Sequence, residues 1–201
     1  MSSKPTIKSL KIKGYRPFRD FQAELTPLEI LVGANGSGKS SLFEFLKFLR
    51  DSIYQDIPPE IVAGSIGQQI FHVPGAERFW WSLDMDFHQQ YPLRYQGELM
   101  GPVGRTHVSF ERVQTARPRD QNPYLFLNIG ERKGLIQDAK SKKLTKQEIA
   151  LKRPNQLALS TVTNPELITL YSAISSRARE PRALRSNSSR CAVGETTSEI
   201  S

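Results

Sequence analysis

Residues 33–40 read Gly-Ala-Asn-Gly-Ser-Gly-Lys-Ser and fill the pattern Gly-x-x-x-x-Gly-Lys-Ser/Thr at every required position. This pattern constrains the fold because a strand before it and a helix after it are the context that raises it above a pattern match. Ile30, Leu31 and Val32 precede it as a short, fully apolar run, which predicts a buried parallel strand. After Lys39, apolar residues fall at Leu42, Phe45, Leu46, Leu49 and Ile53, the spacing of one helical face. Strand, loop and helix thus stand in the order a phosphate-binding loop requires. The bland alternative, a glycine-rich turn in an unrelated α/β unit, is disfavoured because motif and context agree.

A triphosphate is a dense cluster of negative charge. Successive backbone N–H groups in a tight loop make an anion nest, and the following helix adds its positive dipole end. Gly33, Gly36 and Gly38 suit a backbone that must approach phosphate closely, with Ala34, Asn35 and Ser37 completing the loop. Lys39 is expected to reach the β- and γ-phosphates as a mobile charge and is the expected catalytic residue. The Ser40 hydroxyl is expected to be a Mg²⁺ ligand, and Ser41 to sit in the first helical turn near the α-phosphate. ATP with Mg²⁺ is the expected ligand.

The chain has 201 residues, room for about one domain with a real core. Its formal net charge of +8 permits contact with phosphate backbones without demonstrating it, since a solvated basic face is the commoner cause. The lone Cys191 excludes an internal disulfide and a cysteine-based metal cluster, which fits a reducing compartment. No apolar run reaches membrane-spanning length, and Lys4, Lys8, Lys11 and Lys13 interrupt any secretory signal. The expected setting is cytoplasmic, with no membrane partner.

Around the loop, the period of two dominates. Residues 6–13 and 21–25 alternate as half-buried strands, joined across Pro17, so an antiparallel pair precedes the loop. The helix is expected from about Gly38 to Tyr54, and residues 58–78 as loop with at most one helical turn. Trp81, Leu83, Met85 and Phe87 share one strand face; further strands are expected at 93–99, 107–113 and 124–129. Such a run indicates an inserted antiparallel sheet rather than repeated βαβ units. Residues 132–153 are rich in lysine and read as a solvated loop with a short helix at 145–151; a second helix is expected from Asn164-Pro165 to Ile174. The expected fold is therefore α/β: a P-loop NTPase lobe with a preceding antiparallel strand pair and an inserted, mostly antiparallel β-sheet. Within a partial domain over residues 1–174, the strand pair, loop and first helix take 6–57, the antiparallel region 79–130, and the basic loop and helix 131–174. Residues 175–201 carry seven Ser and five Arg without an aromatic residue, and are expected to be a disordered basic tail or a frameshifted one.

The segment Ile7 to Asp20 and the loop Leu31 to Ser41 together resemble the N-terminal lobe of ABC-type ATPases in the RecF/SMC-like AAA group. The likeness covers roughly residues 6–174 and is specific over 6–52. It implies ATP, Mg²⁺ and a head that sandwiches nucleotide between two subunits, hence homodimeric heads, and it brings Arg16 under suspicion of reaching the nucleotide or the partner head. Members of that group often act on DNA. The chain also departs from the pattern. Leu125-Phe126-Leu127 ends in Asn128 where a catalytic Asp belongs, Asp84 and Asp86 fall on a polar strand face, and Leu157-Ala158-Leu159-Ser160 lacks signature glycines. Gln68, Gln69 and His107 compete weakly as the lobe-bridging polar residue.

Three functions follow. The first is the N-terminal, apparently truncated part of an ATPase head that binds ATP but turns it over poorly alone. The second is a non-enzymatic basic nucleotide- or nucleic-acid-binding module. The third, a small P-loop GTPase or kinase, fits least, because Thr145-Lys146-Gln147-Glu148 is a poor guanine-reading motif.

Overall fold

The computed structural model describes residues 6–26, 30–57, 70–75, 77–86, 91–101, 105–116, 123–137, 144–145 and 151–161. The expected second helix at 164–174 and tail at 175–201 lie outside them, as do Gln68, Gln69, Phe87 and residues 146–150.

Strands β1 (Thr6–Tyr15) and β2 (Phe18–Glu24) form a hairpin across the two-residue turn Arg16-Pro17. Helix α1 runs Lys39–Tyr54. It is followed by β3 (Arg78–Asp86), β4 (Leu93–Met100), β5 (His107–Thr115), β6 (Leu125–Gly130), β7 (Lys133–Gln137) and β8 (Leu144–Thr145). All eight strands make one sheet in the order β2-β1-β3-β4-β5-β6-β7-β8, and each described pairing is antiparallel.

Four expectations change here. The leading strand pair and the inserted strands are one continuous sheet, because β1 pairs with β3 from Thr6↔Asp86 to Lys13↔Trp80. Loop and helix are thus an excursion between β2 and β3, the two strands that flank β1. The α/β expectation holds only in part: the described residues give a mostly antiparallel sheet with one α-helix. Ile30, Leu31 and Val32, expected as a buried parallel strand, belong to no strand and are 79%, 42% and 89% exposed. The lysine-rich stretch also differs from its reading, since Lys133–Gln137 and Leu144–Thr145 extend the sheet.

Alternation explains how the sheet packs. Phe79, Trp81, Leu83 and Met85 of β3 are fully buried on one face, while Arg78, Trp80, Asp84 and Asp86 point to the other. Helix α1 presents Leu42, Phe45, Phe48, Leu49 and Ile53 to the inner face. Trp81 fits because its partner on β4 is Gly97. A Cβ at Gly97 would lie 2.6 Å from Trp81 Cε2 and 2.7 Å from Cη2, inside the ring's contact distance.

The segment 151–161 completes the inner layer beside the helix. Asn155 and Ile57 exchange two hydrogen bonds of 2.9 Å, tying this segment to the chain leaving α1. A fully buried carboxylate anchors its end. Glu111 Oε2 accepts from the Ala158 N–H at 2.5 Å, and Oε1 from the Leu159 N–H and the Tyr95 hydroxyl at 3.1 Å. These two amides open a 3₁₀ turn at Ala158–Thr161, where backbone donors lack a helical partner.

Burial pushes the Glu111 carboxyl up to about 7, against the pull of the Leu159, Ala158 and Tyr95 donors. Between the ordinary value of 4.5 and about 7, the folded chain then holds a proton that the unfolded chain releases. Stability contributed by this group is therefore full at acid pH and falls, by about 3 kcal/mol, as pH rises through that window. Urea unfolding across pH is expected to show this slope, and Glu111→Gln to remove it. A slope unchanged in the variant would assign it to another group. Gly97→Ala is expected to lower the unfolding free energy by about 1–3 kcal/mol through overpacking against Trp81. A wild-type urea midpoint for that variant would refute the packing account.

Candidate phosphate-binding loop

Residues 33–37 are exposed and lead directly into α1. Ser37 N–H donates to the Ala34 carbonyl at 3.3 Å, closing a tight turn. Gly36 and Gly38 have φ of 83° and 92°, the left-handed region that a Cβ penalises. Gly38 carries a second requirement. A Cβ there would lie 3.3 Å from Pro17 Cγ and 3.2 Å from Phe18 Cε1, so the β1–β2 turn packs directly against the start of α1.

That start suits an anion. Gly38 is the N-cap, no side chain caps the helix, and its first turn holds no acidic residue. The first intrahelical bond is donated by Leu42 N–H to the Gly38 carbonyl, so the N–H groups of Lys39, Ser40 and Ser41 have no helical acceptor. Lys39 folds back over the loop: Nζ donates to the carbonyls of Gly33 at 2.5 Å and Ala34 at 2.6 Å, and more loosely to Ser37 Oγ at 3.2 Å. An ammonium has three donors, and the weakest of these contacts is the one a phosphate oxygen would replace. Uncapped amides, two left-handed glycines and one mobile cation fit a polyphosphate. Ser40, the expected Mg²⁺ ligand, is exposed one residue into the helix.

Arg16 sits in the hairpin turn with a φ of 46° and forms an ion pair with Glu44 of α1, its guanidinium 5.5 Å from the Tyr15 ring centroid. It therefore neutralises the acid nearest the loop on the helix. The Arg16 carbonyl in turn accepts from His72 Nδ1 at 2.7 Å. A carbonyl can only accept, so this contact places the proton on Nδ1.

The other acidic candidates are committed elsewhere. Asp84 takes a two-pronged bond from Arg94, at 2.6 and 2.8 Å, and Asp86 lies 3.8 Å from Lys8. Asn128, standing where a catalytic acid was sought, accepts from Arg112 Nε at 2.9 Å. His107 lies on β5, and the motif-like run at 157–160 is the segment held by Glu111. Among the described residues no three His, Cys, Asp or Glu side chains cluster to hold a metal. No described helix is long and apolar enough to cross a membrane.

A family model described as AAA ATPase domain matches residues 6–158, more than half of the chain. The protein belongs to that family, a class of nucleotide-binding domains, and the match spans the hairpin, the loop, α1 and the sheet. No curated protein matches the chain.

The packing of Pro17 and Phe18 under Gly38 was missing from the sequence reading. Its only signal is the pairing of a turn proline with a loop glycine far along the chain. Gly38→Ala is expected to cost about 2–4 kcal/mol, combining left-handed strain with crowding against Phe18. Gly36→Ala has open space around its Cβ and is expected to show the strain alone. Equal unfolding midpoints for the two variants would count against the packing contribution.

Proposed function

We propose that the chain binds ATP with Mg²⁺ through residues 33–41, as part of an ATPase head of the RecF/SMC-like group. The observation that carries this reading is the uncapped start of α1 beneath a loop that folds Lys39 over itself. Backbone N–H groups of the loop and the first helical turn would hold the β- and γ-phosphates, with the helix dipole adding to them. Lys39 would exchange its contact with Ser37 for a γ-phosphate oxygen, keeping its two carbonyl bonds as an anchor. Ser40 is the residue proposed to hold Mg²⁺, which would supply positive charge against the phosphates.

Hydrolysis asks for more than binding. A carboxylate must orient the attacking water, and phosphoryl transfer depends almost wholly on such positioning. Asp84, Asp86 and Glu111 are each held by other groups. The water-orienting acid would then come from a further element, with a second head closing over the nucleotide and DNA as the polymer on which the assembled heads act. Its setting is proposed to be cytoplasmic.

The test is anisotropy of a fluorescent ATP analogue, with and without Mg²⁺. Lys39→Ala is expected to weaken binding at least roughly 100-fold, the loss of a charge-assisted contact of about 3 kcal/mol. Ser40→Ala is expected to weaken binding only while Mg²⁺ is present. Equal affinity of wild type and Lys39→Ala would overturn the assignment.

A further inference from the structure

A cleft of about 570 Å³ opens where β1, β3 and β4 meet the chain before β3, within the size range of small-molecule sites. Lys13, Arg19, His72, Arg78, Trp80 and Glu98 line it. Three of these are permanent cations and one is a carboxylate. The carboxylate is already engaged: Glu98 accepts from Ser109 Oγ at 2.7 Å through Oε1 and from Arg78 Nε at 3.1 Å through Oε2. Arg78 is thus held in place by an acid only 15% exposed, while its own side chain stays 56% exposed. Lys13 pairs with Asp20 at 3.0 Å, but both are well exposed, and such pairs exchange partners at little cost. Arg19 forms no ion pair among the described residues.

The rest of the wall is chemically different. Trp80 points to the outer sheet face, opposite the buried Trp81, and no ring stacks on it among the described residues. His72 spends its Nδ1 proton on the Arg16 carbonyl, which leaves Nε2 as an acceptor at neutral charge. A partly exposed indole beside fixed and mobile cations matches a ligand that is flat and aromatic at one end and anionic at the other. A half-exposed tryptophan alone is commonly a surface residue, and so is a lone arginine. Their meeting in one cleft, with the competing carboxylate already occupied, is what points to a ligand.

We propose that this cleft is a second binding site, separate from the loop, for one nucleotide unit with its base on Trp80 and its phosphate on Lys13, Arg19 and Arg78. The unit can be a free nucleoside monophosphate or one residue of a single strand, since both present the same base and phosphate. A duplex does not fit the chemistry, because its bases are stacked inside and cannot reach the indole. The site is independent of nucleotide binding at residues 33–41, so it can be tested in a chain whose loop is disabled.

The experiment uses the full chain carrying Lys39→Ala and a short fluorescein-labelled thymidine oligodeoxynucleotide, read by anisotropy. Unlabelled dTMP and a duplex of equal length serve as competitors. The labelled strand is expected to bind the Lys39→Ala chain as well as the wild type. Trp80→Ala is expected to weaken binding roughly 5- to 150-fold, the worth of one base stack, and Trp80→Phe to retain most of it. Arg19→Glu, at an exposed position, is expected to weaken binding and to flatten the log–log salt dependence by about 0.7 per lost phosphate contact. Competition by dTMP identifies the free mononucleotide as a ligand; binding of the strand without such competition identifies the strand unit. Wild-type affinity in both Trp80→Ala and Arg19→Glu overturns the proposal, as does binding lost with Lys39→Ala alone or equal competition by the duplex.

Discussion

Phe79 lies where four aromatic rings converge, with centroids of Tyr15 at 4.9 Å, Trp81 at 5.0 Å, Phe48 at 5.6 Å and Phe45 at 5.9 Å. Two of these rings belong to α1, one to β1 and one to β3 itself, so this cluster joins the helix to the sheet. Offset and edge-on ring pairs contribute roughly 0.5–1.5 kcal/mol each beyond their buried area. Everything at the loop depends on that joint. The helix can present its first turn to a phosphate only if its body is fixed, and Tyr15 and Phe18 carry the same cluster to the hairpin turn beneath Gly38. The start of α1 is thus positioned by aromatic packing one to three helical turns away.

The loop, the helix and most of the strands were legible in the sequence because each has a local cause. Glycine and lysine spacing encodes a tight loop ahead of a helix, apolar spacing encodes α1, and alternation through Trp81, Leu83 and Met85 encodes β3. Features that depend on distant partners were not legible. An apolar run such as Ile30-Leu31-Val32 records a demand for burial and says nothing about which element meets it. The strand at Lys133–Gln137 was hidden by its charged surroundings, while its backbone closes on β6 through a tight turn at Glu131-Arg132. Glu111 has the same strand parity as the buried Val113, which was a usable signal. It was masked because a carboxylate between Phe110 and Arg112 reads as a solvent-facing residue.

The sheet has two unlike faces. One is sealed by α1 and by the segment Glu111 holds, and it carries stability. The other stays partly open, with cations, acids and aromatic side chains set by alternation, among them Arg112 stacked 4.8 Å from the Phe110 ring centroid. The hairpin turn touches both sides of this arrangement. Pro17 and Phe18 press on the start of α1, while the Arg16 carbonyl holds His72 at the rim of the outer cleft.

The exposed run at Ile30, Leu31 and Val32 bears on how the protein behaves in solution. Three adjacent large apolar side chains on a surface favour contact between molecules, and a net charge of +8 opposes it. The repulsion acts over a Debye length that shrinks from about 30 Å at 0.01 M salt to about 8 Å at physiological ionic strength, whereas the apolar attraction is not screened. Added salt, the usual remedy for a sticky basic protein, therefore removes the force that keeps these chains apart. By this balance, low ionic strength is expected to keep the molecules dispersed.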